Sequence, residues 1–465
     1  MADLLSILSG AATSLAAQRA RTATASHNID NANNPGYSRQ TASLQALTPA
    51  EQVNGAFIGR GATLGTVTQA RDRFLEAQIP QALGDAAFRS AESDALLSFH
   101  GLDPEATGGL GSAISGFYAS LTALAQNPGN SSLRASFLGA ARTLAQTFNR
   151  TSGEIESTRS GLDAQANGLT TQIKDEAARV ADLNLQIRKA RGSGAEPNDL
   201  LDLRQTHLDK LAELTGASFV PTSEGDVNVV LPGGMALVAG SHAGSLSTRP
   251  NGTNRGHLDV FLTQPDGATQ STPLSGSALG GTLGGAISAR DGALESAGES
   301  VDELAGDLAT ALNDQHMLGF TPLGAAGGSL FDTSGAGGAA ASMAVTITDP
   351  AALAMASAAG APGDAGNAQA LIATASTAPS GGKDVQSTLS SIVSRFGSSS
   401  ATAKAFADQN GAVKDQLTRM RDSYSGVSID EEMITMQSAQ RAYEAIAKVI
   451  QTADQMMQTL LSIKS

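Results

Sequence analysis

The two ends of the chain carry matching apolar stripes, and neither end can bury its own. Residues 3–32 place Leu4, Leu8, Ala11 and Leu15 in a line that continues through Gln18, Thr22 and Ala25 to Ile29. Residues 428–463 repeat the device with Ile429, Met433, Met436, Gln440, Tyr443, Ala447, Ile450, Met457 and Leu461. The steps alternate between four and three, a repeat of about 3.5 residues that calls for a coiled-coil seam rather than a solitary helix. A second line on the C-terminal segment gives that helix two apolar faces: Ala439, Ala442, Ile446, Val449, Ala453, Met456, Leu460 and Ile463. Helices are marginal in water alone and gain their stability by burying such faces. Ends so distant in sequence therefore meet each other or a second copy, which is the arrangement of a polymerising protein.

Composition narrows what lies between. The 465 residues include 51 Gly and only 4% aromatics, with no Trp and no Cys. Cores must be packed from Ala and Leu, and disulfides, thiolate catalysis and Cys-ligated zinc are excluded. Net charge is −14, and Arg and Lys are scattered singly. No basic patch invites nucleic acid. No apolar run reaches the roughly 18 residues of a membrane span, so no membrane insertion is expected. The first residues start with Asp3 rather than a basic cluster and lack a compact apolar region, unlike a cleavable signal peptide. Secretion would then need a route that keeps the N-terminus.

Along the chain, Asp3 is placed to cap the first helix, which ends at Asn33-Asn34-Pro35-Gly36, a turn of type II chemistry. An extended, Gly-punctuated stretch runs to Thr68. Helices are predicted over 71–99, 110–125, 131–190 and 198–214, the last capped by Asn198 or Asp199 and burying Leu200, Leu201, Leu203, Leu208, Leu211 and Leu214. Alternating runs and turn pairs such as Asn251-Gly252 and Asp266-Gly267 make 217–276 a small antiparallel β region. Helix resumes over 284–313. Gly, Ala and Ser dominate 324–381, predicted to be irregular apart from a short β or loop stretch near Phe331–Ile347. A long helix from Asp384 to Tyr424, with a soft break near Gly397, leads through Gly426 into the terminal helix, opened by a Ser428/Glu431 capping box.

The expected fold is mainly α with an inserted β domain, in discontinuous nested layers. Residues 1–40 and 425–465 form a terminal coiled-coil assembly domain, 41–215 and 278–424 a helical central domain, and 216–277 the inserted antiparallel β domain.

Candidate chemistry is sparse. Histidines 27, 100, 207, 242, 257 and 316 form no ligand motif, so no metal is expected. Gly59–Gly65 and Gly280–Gly285 are glycine-dense but lack the spacing of a dinucleotide loop or the Lys-Ser/Thr of a P-loop. Asp430, Glu431 and Glu432 complement the positive end of the last helix. No nucleophile elbow is present. The sequence offers no catalytic residue, cofactor site or metal site.

Two terminal blocks carry a resemblance. Ser26-His27-Asn28-Ile29-Asp30-Asn31-Ala32-Asn33-Asn34-Pro35-Gly36-Tyr37-Ser38-Arg39-Gln40 resembles the N-terminal signature of bacterial flagellar axial proteins, and its Gly-Tyr-Ser-Arg-Gln extension is similar to the hook–filament junction members. The motif residues are Asn28, Asn31, Asn33, Pro35, Gly36, Tyr37, Ser38, Arg39 and Gln40. The tail Ser425–Leu461, with Gly426-Val427-Ser428-Ile429-Asp430-Glu431-Glu432-Met433 and Arg441-Ala442-Tyr443, is similar to the same family's C-terminus. Pro197–Arg204 and Asn313–His316 look like family segments in matching order. His27 and Asp30 depart from the pattern, which usually has Asn and a small residue there, and Asp30 puts a charge near the seam.

The resemblance implies a structural adaptor joining hook to filament, not an enzyme. It would assemble as a ring through Leu4, Leu8, Leu15, Ile29, Ile429, Met433, Met436, Tyr443, Ile446, Ile450, Met457, Leu460 and Leu461. The implied partners are further copies of itself, the hook protein, a second junction protein on the filament side, and a dedicated export chaperone on the C-terminal helix. Export by the flagellar secretion apparatus would place it outside the cell. Another axial protein (hook or third junction protein), or a secreted adhesin or enzyme working through the β region, are the alternatives.

Overall fold

The computed structural model describes residues 2–34, 36–47, 52–53, 56–57, 60–103, 108–377 and 384–463. Helix α1 (Ala2–Asp30) leads into a hairpin of β1 (Gln40–Ala46) and β4 (Ala62–Gln69), with the short pair β2 (Gln52–Val53) and β3 (Ala56–Phe57) between them. Helices α2 (Arg73–Leu97), α3 (Leu110–Gln126), α4 (Ser131–Gly192) and α5 (Asn198–Thr215) follow. Strands β5 (Ser218–Pro221), β6 (Val227–Val230), β7 (Ala236–Ala239) and β8 (His242–Ala243) form one antiparallel sheet, and β9 (Ser245–Pro250) with β10 (Leu258–Thr263) forms a hairpin. Helix α6 (Gly281–Ala289) passes through a π-helical turn, Arg290–Leu294, into α7 (Glu295–Met317). Then come β11 (Phe331–Asp332), α8 (Ala339–Ser342), β12 (Ala344–Val345), α9 (Gly366–Thr377), α10 (Val385–Ser425) and α11 (Ile429–Ile463).

Local chemistry sets the helix starts. Asp72 caps α2 by accepting from the Phe74 amide at 2.8 Å, Asn130 caps α4 through Ser132 at 2.9 Å, and Asp384 caps α10 through Ser387 at 2.8 Å. At 62 residues, α4 is about 93 Å long. That length lets it serve two cores. Its first half packs Phe137, Leu144 and Phe148 with Phe117, Leu304, Leu308 and Phe331; its second half packs Ile173 and Val180 with Leu208, Val229, Leu237 and Leu262. The β region thus has no separate core, and its apolar face closes on α4, α5 and α6. Glycines supply the close approaches the composition hinted at. A Cβ on Gly285 would sit 2.2 Å from the Phe88 carbonyl oxygen of α2, and one on Gly281 would sit 2.5 Å from the Glu213 carbonyl oxygen of α5, so the Gly280–Gly285 cluster is where the start of α6 packs against α2 and the end of α5.

Several expectations are corrected. α1 already begins at Ala2, placing Asp3 inside the first turn rather than at the cap. α5 is entered from Pro197 without a side-chain cap, and Leu203 is exposed while Asn198, Asp202 and Arg204 are buried. α10 runs unbroken through Gly397, and α9 forms within the stretch expected to be irregular because Ala368 and Leu371 bury into the helical core.

The ends do pair within one chain: α11 lies along α1. The two run antiparallel, since the first turn of α11 reaches Arg39, just past the end of α1. On α11 the covered seam draws on both predicted stripes. Ala439 and Ala453 are buried, and Met436, Ile446, Ile450 and Met457 half-buried. On α1 the predicted Leu8, Leu15 and Ile29 are half-buried and Ala25 of the same line is buried, while the other fully buried residues, Gly10, Ala17 and Asn28, lie one step round the helix. The reason is the β1–β4 hairpin. It packs on that face so closely that a Cβ on Gly10 would stand 2.1 Å from the Arg60 carbonyl oxygen, and Ser14 Oγ accepts from the Ala62 amide at 2.9 Å. The side chains of Leu4, Leu460 and Leu461 lie outside the described residues.

Candidate functional site

Where α1 ends, the Asn28–Gln40 segment turns back and ties four elements together. Asn28, wholly buried, acts as a backbone substitute. Its Oδ1 accepts from the Gln40 amide at 2.9 Å and the Tyr37 hydroxyl at 2.7 Å, and its Nδ2 donates to the Gln40 carbonyl at 2.8 Å. All three side-chain bonds oppose buried or half-buried groups that would otherwise lack partners, so an isosteric but apolar residue would not serve. Gly36 has φ +83°, and the Tyr37 amide donates to the Asn34 carbonyl across the turn at 3.2 Å. A Cβ on Gly36 would lie 2.8 Å from Thr206 Oγ1 of α5, so positive φ and close approach both require glycine. Pro35 lies outside the described residues. Asn31 donates back to the His27 carbonyl at 3.0 Å, and Asn33 is exposed.

The segment next docks on the start of α5. The Ser38 amide donates to Asp202 Oδ2 at 3.2 Å, Gln40 Nε2 donates to Asp199 Oδ1 at 2.9 Å, and Asn198 Nδ2 donates to Gln40 Oε1 at 3.2 Å and to the Val67 carbonyl at 2.9 Å. This explains why neither Asn198 nor Asp199 caps α5: both side chains are spent on the motif. Arg71, at the foot of α2, donates to Asp202 at 2.6 Å and lies 3.1 Å from Glu76. Arg421, near the end of α10, meets Asp209 of α5 at 2.8 Å. His27 Nε2 lies 3.2 Å from Asp199 and its ring is edge-on to Tyr37, so this departure from the family pattern is absorbed into the network. Asp30 points to solvent.

Arg39 closes the knot onto the last helix. Its Nε donates to Glu432 at 2.6 Å and its Nη1 to Glu431 at 2.9 Å, while its own amide donates to the Ser425 carbonyl at 2.9 Å. The Glu432 side chain is only 4% exposed. The helix-dipole reading of Asp430, Glu431 and Glu432 is therefore incomplete: Glu432 is a buried anion matched to one arginine. Only half of the capping box forms, with the Glu431 amide 3.5 Å from Ser428 Oγ and the Glu431 carboxylate turned to Arg39. The Arg39–Glu432 link was missed in the sequence because its partners stand 393 positions apart. A third acid in a first turn that needs fewer was the available signal.

Burial, and then the charges of Asp199, Asp202 and Glu432, push the Tyr37 hydroxyl well above its ordinary value, keeping it a donor. Burial also raises Glu76 and Asp209 against the opposing pull of Arg71 and Arg421. Such a network holds geometry. No group of side chains that could hold a metal ion occurs among the described residues. The other buried histidines are engaged structurally: His257 Nδ1 is 2.6 Å from Asp163 and His316 Nδ1 is 2.6 Å from the Gly328 carbonyl. No helix among the described residues is long and apolar enough to cross a membrane.

The positions expected to mediate assembly divide by burial. Met436, Ile446, Ile450 and Met457 turn toward α1, while Ile429, Met433 and Tyr443 stay exposed on one flank of α11; Ile434, Val449 and Met456 are exposed on the other.

Comparison with known proteins agrees with this layout. Residues 102–331 match the family model of the flagellar hook-associated protein FlgK helical domain, and 421–463 match that of the flagellar basal body rod FlgEFG protein C-terminal region. Flagellar hook-associated protein 1 of Escherichia coli is 26% identical over 99% of this chain and all of its own length, and that of Bacillus subtilis is 28% identical over 96% of each. The solved flagellar hook junction protein FlgK from Burkholderia pseudomallei shares the fold with a TM-score of 0.68 at 18% identity, over 76% of this chain and all of that one. With a mainly helical fold, a junction-type motif built into a hydrogen-bonded knot between the first helix, α5 and α11, and end-to-end relatives of one kind, this chain belongs to the flagellar hook-associated protein 1 family, the structural proteins of the hook–filament junction.

Proposed function

We propose that the chain works at the junction by assembling with further copies of itself through the α1–α11 pair, between the hook protein on one side and a second junction protein on the other. The observation that carries this reading is the surplus apolar surface of α11. One seam is covered by α1, and two flanks, marked by Ile434, Val449 and Met456 and by Ile429, Met433 and Tyr443, are left in water. A helix with uncovered apolar flanks on both sides suits a subunit with neighbours on both sides. Each large apolar side chain buried is worth about 1.5–3 kcal/mol, so a few per flank hold a non-covalent ring. The same surface before assembly calls for a cover, which a dedicated export chaperone on α11 provides until delivery outside the cell. The knot at Asn28–Gln40 fixes the angle between the terminal pair and the body.

The test compares two variants of the full chain. Ile450→Asp places a charge in the intrachain seam; Val449→Asp places one on the exposed flank and leaves the pair intact. Both should abolish sedimentable assemblies and swimming while the helical body keeps its melting transition. Normal assembly by Val449→Asp would refute the reading.

A further inference from the structure

The second half of α10 presents an apolar line that the described residues leave about half exposed, with the Arg89 guanidinium lying over the Phe406 ring at its start. Phe406, Val413 and Met420 recur every seven residues and Tyr424 follows four later, with exposures of 43%, 47%, 46% and 56%. α10 packs along α2 through the adjacent line, where Leu417 meets Leu75, Ile79 and Leu83. The helix therefore spends one stripe inside the molecule and leaves its neighbour, about 27 Å of it, in solvent. A heptad-spaced apolar stripe of that length is the seam of a helix–helix contact. We infer that it is a docking surface for a second copy of this chain, an inference that rests on the proposed self-assembly and extends it from the terminal helices to the body.

Two observations select the occupant. The stripe is continuous in sequence with the exposed flank of α11: Tyr424 is followed, after the short Gly426–Ser428 link, by Ile429 and Met433. Charge is the second. α10 carries five basic against three acidic side chains in a chain whose net charge is −14, and α11 carries five acidic against two basic. Two α10 stripes face to face would set net-basic surface against net-basic surface. An acidic face of a neighbouring copy complements it instead, which makes the contact head-to-tail, the kind that closes into rings or extends into helical assemblies.

The full chain contains no cysteine, so Met420→Cys carrying a benzophenone maleimide reports from that position alone. Irradiation under assembling conditions should give a product of about twice 46.9 kDa. In parallel, Val413→Glu/Met420→Glu, which alters only half-exposed side chains, should keep the parent circular dichroism and melting point and need at least tenfold more protein to assemble. If the double variant assembles at parental concentration, or assembly proceeds with no dimeric photoproduct, the α10 surface is not a self-docking site. Should Val449→Asp block assembly while the α10 variant does not, the terminal-helix reading stands and this one falls; if neither variant affects assembly, both fall. A photoproduct formed in cells with a different protein, and none with the purified chain, overturns the second-copy assignment as well.

Discussion

Removing the arginine of the knot should undock the start of the last helix without unfolding the body. In Arg39→Met the side-chain stem is kept and the backbone bond from residue 39 to the Ser425 carbonyl is untouched, but the Glu432 carboxylate, 4% exposed, loses the guanidinium 2.6 Å away. Breaking one member of a buried pair costs about 3–5 kcal/mol. Arg39 itself is 30% exposed, so solvent screening reduces this to about 2–3 kcal/mol. The 2.9 Å pair to Glu431, which is 61% exposed, adds little. Hydrogen exchange of the α11 amides reads the loss locally. At a factor of ten per 1.4 kcal/mol, protection over residues 432–446 should fall roughly 30- to 150-fold, while α4 and α7 stay unchanged. Arg39→Met/Glu432→Gln removes both charges and should restore most of the protection, since the penalty lies in the orphaned carboxylate rather than in a missing attraction. Parental protection in the single variant, or no recovery in the double, would sink the argument that Glu432 is the charge holding α11 in place.

Two further outcomes concern the body. Gly285→Ala puts a methyl 2.2 Å from the Phe88 carbonyl oxygen, a backbone atom that cannot swing away, and should lower stability by about 2–3 kcal/mol in a urea melt; an unchanged midpoint would mean α6 and α2 part at no cost. His316 is held neutral: its Nε2 accepts from the Ala354 amide at 2.9 Å, so Nδ1 donates to the Gly328 carbonyl, and burial lowers its affinity for a proton below the ordinary 6.5. The unfolded chain then takes up the proton first, so this group's share of stability is intact above about pH 6.5 and is lost as pH falls below it, at up to about 1.4 kcal/mol per pH unit. The melting-point drop between pH 7 and pH 5 should be smaller in His316→Gln than in the parent, and an equal drop would exclude His316 as its source.

The matched stripes already announced that each end needs a helical partner, the other end or a second copy, because periodicity needs only the order of residues. They did not say which face would be covered. The seam on α11 borrows Met436 and Ile450 from one stripe and Ala439, Ile446 and Ala453 from the other, because the β1–β4 hairpin occupies the small-residue face of α1 and rotates the contact. Helices with strong signals at both ends, such as α4 and α10, were legible nearly to the residue. α9 was not, since its Ala- and Ser-rich sequence becomes helical only by burying Leu371.

The motif residues were readable as a block, and their roles were not. Asn28, Tyr37 and Gln40 form a closed set of hydrogen bonds whose partners on α5 lie about 160 residues away, and Glu432 gains its meaning only from Arg39. By itself, the sequence determined that this is a cysteine-free, mainly helical chain whose two ends each carry an apolar stripe in need of a helical partner. Tertiary structure alone decided which apolar residues those ends and α10 leave uncovered, because exposure depends on what packs beside a helix face and not on the pattern written along it.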